Sequence, residues 1–469
     1  MLSCNKTAIL VVFATSLNQA RFAAEVIKQA GFSEKEKVLL LADPTMYNEV
    51  PNRKYKQYAC EYSEIYTKIL YLNELLGYTN LNQCKDLTLI GGVLENAGVR
   101  LSRVGHLLIG LLSTSLYLSI TKVFYKADIS VYSDGMMSFG PLRGDVYKDN
   151  LHKRIKDIFY EDLCEGIVPN YLPELCKSPV RVRFDLCCVE SRTKSLLIAL
   201  QSLSYSKIMS EVEEYNFYSN YIQQIKRVFH GYKVYVLPHP NNSSELIANM
   251  SLPGITMLEN TLSGEEYVEK LKIGYVASCF STLMFRAHKM GIPCFSFGTD
   301  ELLLKLAPYQ NSNRVPVVLA RYCFFNFGDI SEIRDQRSFV ENVNNFKVNV
   351  SLVGDILNAV SLLIKPELNT VISNDVFTVL EQIGPYERGL LFSGCNLSKI
   401  KELGYKPCEI RQEGTGLISD SPKKQNSLDQ EVKVLRQKLV QEKERSDRLK
   451  RSLSWRITAP IRFLGRVLK

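Results

Sequence analysis

Histidine and tryptophan are scarce in this chain of 469 residues, with five of the first and one of the second. So few imidazoles leave little material for a metal centre, and the twelve cysteines do not make up for it. No two of them stand in a CxxC pair and none has a histidine at zinc-ligand spacing, so no metal is expected. Scattered thiols of this kind fit a reducing cytosol, where they act as small hydrophobes. Long apolar runs are also few. Residues 104–121 hold eighteen uncharged residues between Arg103 and Lys122, just the length of a membrane span. His106 and the many Gly, Ser and Thr in that run make it read as a buried helix instead. The N-terminal NKTAILVVFATSLNQA has one lysine and a short apolar core, as a secretory signal would, but alternating helix and strand follow it and it reads as a buried first strand. Glycosylation at Asn5 is then irrelevant, because it requires secretion.

What is present is ordinary for a folded protein. A hydrophobic share of 46% against 23% charged excludes disorder for most of the chain, and the length suffices for two or more domains. The net charge of +9 gathers near the C-terminus, a patch on the surface and not a coat over it.

Patterning along the chain is α/β. AILVVFA reads as a strand, TSLNQ as a loop, and ARFAAEVIKQAGF as a helix ended by Gly31. KVLLLADP is a continuous apolar run stopped by Pro44, as a buried parallel strand should be. DLTLIGG (86–92) and DISVYSDG (128–135) read as two more strands, so residues 1–150 form a doubly wound domain. Residues 151–193 are polar, with Pro169, Pro173 and Pro179, and read as a connection. A second α/β pattern occupies 194–410: SLLIAL, YKVYVLPHP, KIGYVAS and GIPCFSFG are strands, separated by an amphipathic helix ending at Gly231 and by TLMFRAHKM. Two such domains form a cleft at the carboxyl ends of their strands, where ligands bind in this architecture.

Beyond about Cys408 the composition shifts to a linker over 411–427 and a charged helix and tail over 428–469. Leu428, Val432, Leu435 and Leu439 keep heptad spacing, but Glu442 and Ser446 break it. Residues 428–453 therefore support at most a weak homo-oligomer, and a solvated single helix explains them equally. From Arg448 onward no acidic residue occurs. Trp455, Arg456, Arg462, Phe463 and Arg466 mix basic heads with an indole and bulky apolar groups, the composition of a helix lying on an anionic membrane surface. Nucleic acid would need the charge without the aliphatics, so no nucleic-acid partner is expected.

Three short motifs stand at strand ends. In Ser133-Asp134-Gly135 the carboxylate can act as a general base or cap a turn. His239-Pro240 holds an imidazole between two prolines, which restrict the backbone and fix its heading. It suits either a turn or stabilisation of a phosphate. Ser278-Cys279-Phe280-Ser281-Thr282 precedes a helix, where hydroxyls and free N–H groups can hold an anion or simply cap the helix.

The set and its order, an acid-glycine element, then His-Pro, then a Ser/Thr pair, resembles the bacterial GT-B sialyltransferases, including lipo-oligosaccharide sialyltransferases and capsular polysialyltransferases. The resemblance spans about residues 8–300. It implies two Rossmann-like domains facing a cleft, with an acceptor-side N-terminal domain and a CMP-sugar-binding C-terminal one. It further implies that Asp134 lies in the base motif and that His239, directed by Pro240, meets the leaving phosphate. Ser278, Ser281 and Thr282 would hold that phosphate, and Glu259 the cytidine or ribose. Where the family's base usually stands, this chain has Ser133.

The implied activity is inverting transfer of sialic acid or a related sugar from a CMP-sugar to a capsular or lipid-linked glycan. No cofactor or metal is implied, and the chain has no DxD sequence. The setting would be cytoplasmic and peripheral on the inner face of a bacterial membrane. Donors such as CMP-Kdo or CDP-glycerol, and a degenerate CMP-binding scaffold, are the alternatives.

Overall fold

The computed structural model describes residues 8–364, apart from positions 35, 134 and 251 and the segments 43–63, 78–80, 82–86, 111–114, 140–150, 168–178, 307–310 and 328–335, together with Leu390 and Leu391. The chain divides into two compact units, Met1–Pro407 and Cys408–Lys469. The expected linker, the charged helix, and Trp455, Arg456, Arg462, Phe463 and Arg466 lie outside the described residues, as does Asp134.

The first unit contains two parallel sheets. In the first, β1 (Ile9–Ala14) pairs with β2 (Glu36–Leu41) and β4 (Val104–Gly110). Adding β3 (Lys68–Tyr71), β5 (Asp128–Ser133), β6 (Ile155–Glu161) and β7 (Val180–Val182) gives the order β3-β2-β1-β4-β5-β6-β7. The second sheet runs β10-β9-β8-β11-β12-β13, with β8 at Ser195–Ala199, β9 at Lys233–Leu237, β10 at Ile255–Met257, β11 at Tyr275–Ser278, β12 at Cys294–Phe297 and β13 at Phe325–Phe327. Strand order reverses beside β1 in one sheet and beside β8 in the other. These are two Rossmann-like doubly wound domains, a GT-B-like architecture, and the reversals are where such sheets open a crevice at their carboxyl ends.

Burial explains the sequence pattern. All six residues of β1 are buried, and alternate ones feed different cores: Ile9, Val11 and Phe13 pack on one face, Leu10, Val12 and Ala14 on the other. A strand covered on both faces needs an unbroken apolar run, which is what AILVVFA supplies. Ser16 caps the Leu17–Ala30 helix by accepting from the Gln19 amide, and Gly31 ends it in the left-handed region at φ 67°.

Three expectations are corrected. Residues 86–92 are not a strand, since Leu87–Asn96 is a helix. Its buried residues Ile90, Gly91 and Leu94 share a helical face, while Leu87 and Leu89 stay exposed. Over seven residues that spacing is hard to tell from a strand's. Residues 104–121 are not one buried helix but β4 followed by a helix at Ser115–Val123. β4 lies between β1 and β5, so its residues are apolar on both faces, and the His106 ring is met by the Ser130 hydroxyl of β5 at 2.9 Å. Residues 151–193 are more than a connection, for they carry β6 and β7 of the first sheet. Lys156 and Asp157 interrupt the apolar run of β6, and Asp157 is there to accept from Ser130 across the sheet.

Candidate functional site

Register places the loops of the second domain side by side. Ala199 of β8 is the register partner of both Leu237 of β9 and Ser278 of β11, so β9 and β11 stand about 10 Å apart with β8 between them. The loops that follow carry His239, Gln201 and Ser281. They are built as one piece. The Glu214 carboxylate, fully buried in the Glu211–Val228 helix, accepts from the amides of Leu203 and Ser204 at 2.9 Å each and from Asn242 Nδ2 at 3.1 Å. One turn on, Tyr218 accepts from the Gln201 amide at 2.7 Å and donates to its carbonyl at 2.8 Å. Ser202 donates to the Asn241 carbonyl at 2.9 Å.

His239 is fixed by this frame. Its backbone N–H donates to Asn242 Oδ1 at 2.7 Å, and its Nδ1 accepts from the Asn241 amide at 3.1 Å. An Nδ1 that accepts puts the proton of the neutral ring on Nε2. Burial lowers the imidazole from 6.5 to about 4, so at neutral pH the ring is an uncharged donor through Nε2. The shift has a consequence for stability. The unfolded chain protonates His239 near 6.5 and the folded chain only near 4, so between those values the unfolded state holds more protons. Stability associated with His239 is complete above pH 6.5 and falls as the pH drops toward 4, by up to about 3 kcal/mol. Urea midpoints measured from pH 7 to 4 should fall more steeply in the wild type than in His239→Gln. Parallel curves would show that the ring titrates normally.

Ser278 is buried and its hydroxyl donates to the Ala199 carbonyl at 2.7 Å, so it joins β11 to β8. Ser281 caps the Thr282–Lys289 helix, accepting from the Leu283 amide at 3.3 Å. Thr282 reaches into the first domain, where its Oγ1 accepts from the Met136 amide at 3.3 Å. Gly135 sits against the same oxygen: at φ 67°, a Cβ there would lie 2.5 Å from Thr282 Oγ1. Only glycine combines that backbone with that approach. The base-motif loop after β5 and the Ser/Thr motif after β11 are thus in contact.

Behind this contact lies a charged network that sequence reasoning missed. Glu161, at the end of β6, accepts from the Gly135 amide through Oε2 at 2.8 Å. The same carboxylate is gripped by Arg286 of the Thr282–Lys289 helix, Nε to Oε1 at 2.6 Å and Nη2 to Oε2 at 2.9 Å. Arg286 Nη1 also donates to Glu265 Oε1 at 2.8 Å, and its guanidinium lies 4.5 Å over the Phe184 ring. Burial opposes the charge of Arg286, but Glu161 and Glu265 outweigh it and raise the guanidinium further. Burial likewise opposes ionisation of Glu265, and Arg286 outweighs it, holding the carboxyl below its usual value.

Other expected residues are not drawn in. Glu259 is exposed after β10, where its carbonyl accepts from the Tyr267 hydroxyl at 2.7 Å. Pro240 is exposed beside His239. Ser133 is buried, and its hydroxyl has no hydrogen-bond partner among the described residues. Sequence cues for the missed residues exist in hindsight. Glu161 closes an apolar run, Arg286 interrupts the apolar face of LMFRAH, and Glu214 holds a core position four residues before Tyr218. An ion at a buried register position needs a partner, but no spacing rule names it.

No protein-family model matches the chain, and no curated protein matches it. Among solved structures it is similar to UGT2 of Phytolacca americana complexed with UDP-2-fluoro-glucose and pterostilbene, at 11% identity over 80% of this chain and 98% of that one, with a TM-score of 0.40. It is similar to UDP-GlcNAc 2-epimerase from Methanocaldococcus jannaschii at 11% identity, covering 73% and 94% of the two chains, with a TM-score of 0.41. Similarity to the α/β-galactoside α-2,3-sialyltransferase of the luminous marine bacterium Photobacterium phosphoreum is 12% identity over 62% and 91%, with a TM-score of 0.35. Likenesses this distant carry no assignment of site residues, and the reading of the site rests on its own geometry.

Proposed function

We propose that the chain is an inverting glycosyltransferase that moves sialic acid, or a related sugar, from a CMP-sugar to a capsular or lipid-linked glycan. The observation that carries this reading is the meeting of the base-motif loop with the Ser/Thr helix at Gly135, Met136 and Thr282, with His239 two strands away along the same sheet edge. Two of the motifs, far apart in sequence, are in contact, and the loop of the third follows a strand of the same sheet.

In this reading the donor phosphate lies over the first turn of the Thr282–Lys289 helix, whose dipole favours an anion. His239 donates from Nε2, and Thr282, which accepts from Met136, keeps its own hydroxyl proton to donate. Asp134 takes the proton of the acceptor hydroxyl as its oxygen bonds to the anomeric carbon. The bond from that carbon to the phosphate oxygen breaks, and its electron pair leaves with CMP. Each donor counts more in the transition state, where charge builds on the leaving phosphate. The reading needs no metal, in keeping with the absence of a DxD sequence.

CMP release from CMP-sialic acid, measured with a panel of glycan acceptors, tests this directly. No turnover with any CMP-sugar would overturn it. The buried serine at 133 favours a second reading, a scaffold that binds CMP without transfer, and CMP titration without turnover is its signature.

Among the described residues no helix is long and apolar enough to cross a membrane. The basic tail around Trp455, Arg456, Arg462, Phe463 and Arg466 is proposed to bring the enzyme to the cytoplasmic face of an anionic membrane, where a lipid-linked acceptor would lie. Deleting residues 449–469 should abolish binding to anionic vesicles while sparing transfer to a soluble acceptor. Vesicle binding that survives the deletion would place the anchor elsewhere.

A further inference from the structure

We propose that Glu161 is a positioning residue, which together with Arg286 fixes the base-motif loop of the first domain against the phosphate-side helix of the second. Its catalytic consequence rests on the function proposed above.

Glu161 cannot itself be the base. Oε1 accepts from Arg286 Nε, and Oε2 accepts from both Arg286 Nη2 and the Gly135 amide. The carboxylate is 2% exposed. A fork-to-fork pair in that setting has no face turned to an acceptor hydroxyl.

What the pair does is geometric. Ser133 of β5 is paired with Tyr160 of β6, so Glu161 is the next residue beyond the last rung and stands level with the turn that follows β5. Its bond to the Gly135 amide fixes the backbone at the residue after Asp134. The same carboxylate is bound to a helix whose first residue, Thr282, accepts from Met136. Arg286 is a second-domain cation seated among first-domain groups, Glu161 and the Phe184 ring, with Glu265 of its own domain behind it. The loop that carries the base and the helix that meets the leaving group are thus tied at two points, Thr282 to Met136 and Arg286 through Glu161 to Gly135. Loosening the second tie leaves the donor pocket around His239 untouched, because its frame of Glu214, Asn242 and Tyr218 shares no bond with Glu161.

Glu161→Gln keeps the shape but cannot offer a carboxylate oxygen to Arg286 and to Gly135 at once. Amide hydrogen exchange over residues 135–139 should rise at least about tenfold, while exchange in β9 and in the Glu211–Val228 helix stays at the wild-type level. If both regions exchange faster together, or the loop does not change, the positioning role is overturned. That readout stands whether or not a CMP-sugar proves to be the substrate. With turnover established, kcat should fall about 10- to 100-fold, the size of effect that misplacing a reacting group by an ångström produces, with donor KM changed less than about threefold and donor binding retained. An unchanged kcat, or a loss confined to KM, would sink the catalytic consequence. Arg286→Lys, which keeps the charge and removes the fork, should move both readouts the same way. It serves as the second variant should Glu161→Gln fold poorly.

Discussion

Under the proposed activity, replacing His239 by alanine should lower transfer from a CMP-sugar about 100- to 1000-fold, the effect of removing one preorganised donor from a developing anion. The expectation follows from how the ring is held. Nδ1 is occupied by the Asn241 amide, so Nε2 carries the proton, and burial keeps the ring neutral at neutral pH, with its pKa at about 4. A ring that must donate from one nitrogen is already in the tautomer it needs, and no reorganisation is spent at the moment of reaction. His239→Asn should recover part of the loss, since its amide can also donate, while CMP binding weakens in both variants. Turnover of His239→Ala within about threefold of wild type would remove the histidine from the site, leaving it as the turn residue that two flanking prolines also explain.

Arg286→Met produces the largest loss of stability, about 3–5 kcal/mol, because it strands a charge that the fold has desolvated. Glu161 and Arg286 are 2% and 8% exposed, and Glu265 loses the partner that holds its carboxyl below its usual value. The side chain of methionine fills much of the space, so the deficit is electrostatic and not a cavity. The unfolding free energy from urea denaturation is the measurement. Adding Glu161→Gln to Arg286→Met should recover part of the loss, since the amide is cheaper to bury unpaired than the carboxylate. A deficit below about 1 kcal/mol would mean that water reaches the pair and that the contact resembles a surface ion pair.

Both experiments bear on the same division in the molecule. Much of the fold was legible because parallel strands covered on both faces must be written as unbroken apolar runs: AILVVFA, KVLLLADP and SLLIAL could hardly be anything else. Legibility failed where burial was one-sided or the run was short. DLTLIGG hides a helical face that seven residues cannot distinguish from a strand. The sequence around β4 is apolar for the reason β1 is, but its glycine, serine and histidine suggested a helix until His106 met Ser130 across the sheet. Of the candidate site residues, those with a rare chemistry could be picked out in the sequence: His239 between two prolines, and the hydroxyls of Ser281 and Thr282 before a helix. Of the three hydroxyls expected at the phosphate, Ser278 proved to be spent on the Ala199 carbonyl, a bond that depends on strand order.

Composition and periodicity by themselves determined two α/β domains, their principal strands, and which strand ends bear polar chemistry, because burial writes those features locally into the chain. Only the tertiary structure decided that the turn after β5 rests on Thr282, that Glu214 frames the His239 loop, and that Glu161 and Arg286 join the domains behind them. A buried charge is stable only beside its counter-charge. Glu161 and Arg286 are separated by 125 residues of chain, and no local pattern records a partner that folding alone brings within 3 Å.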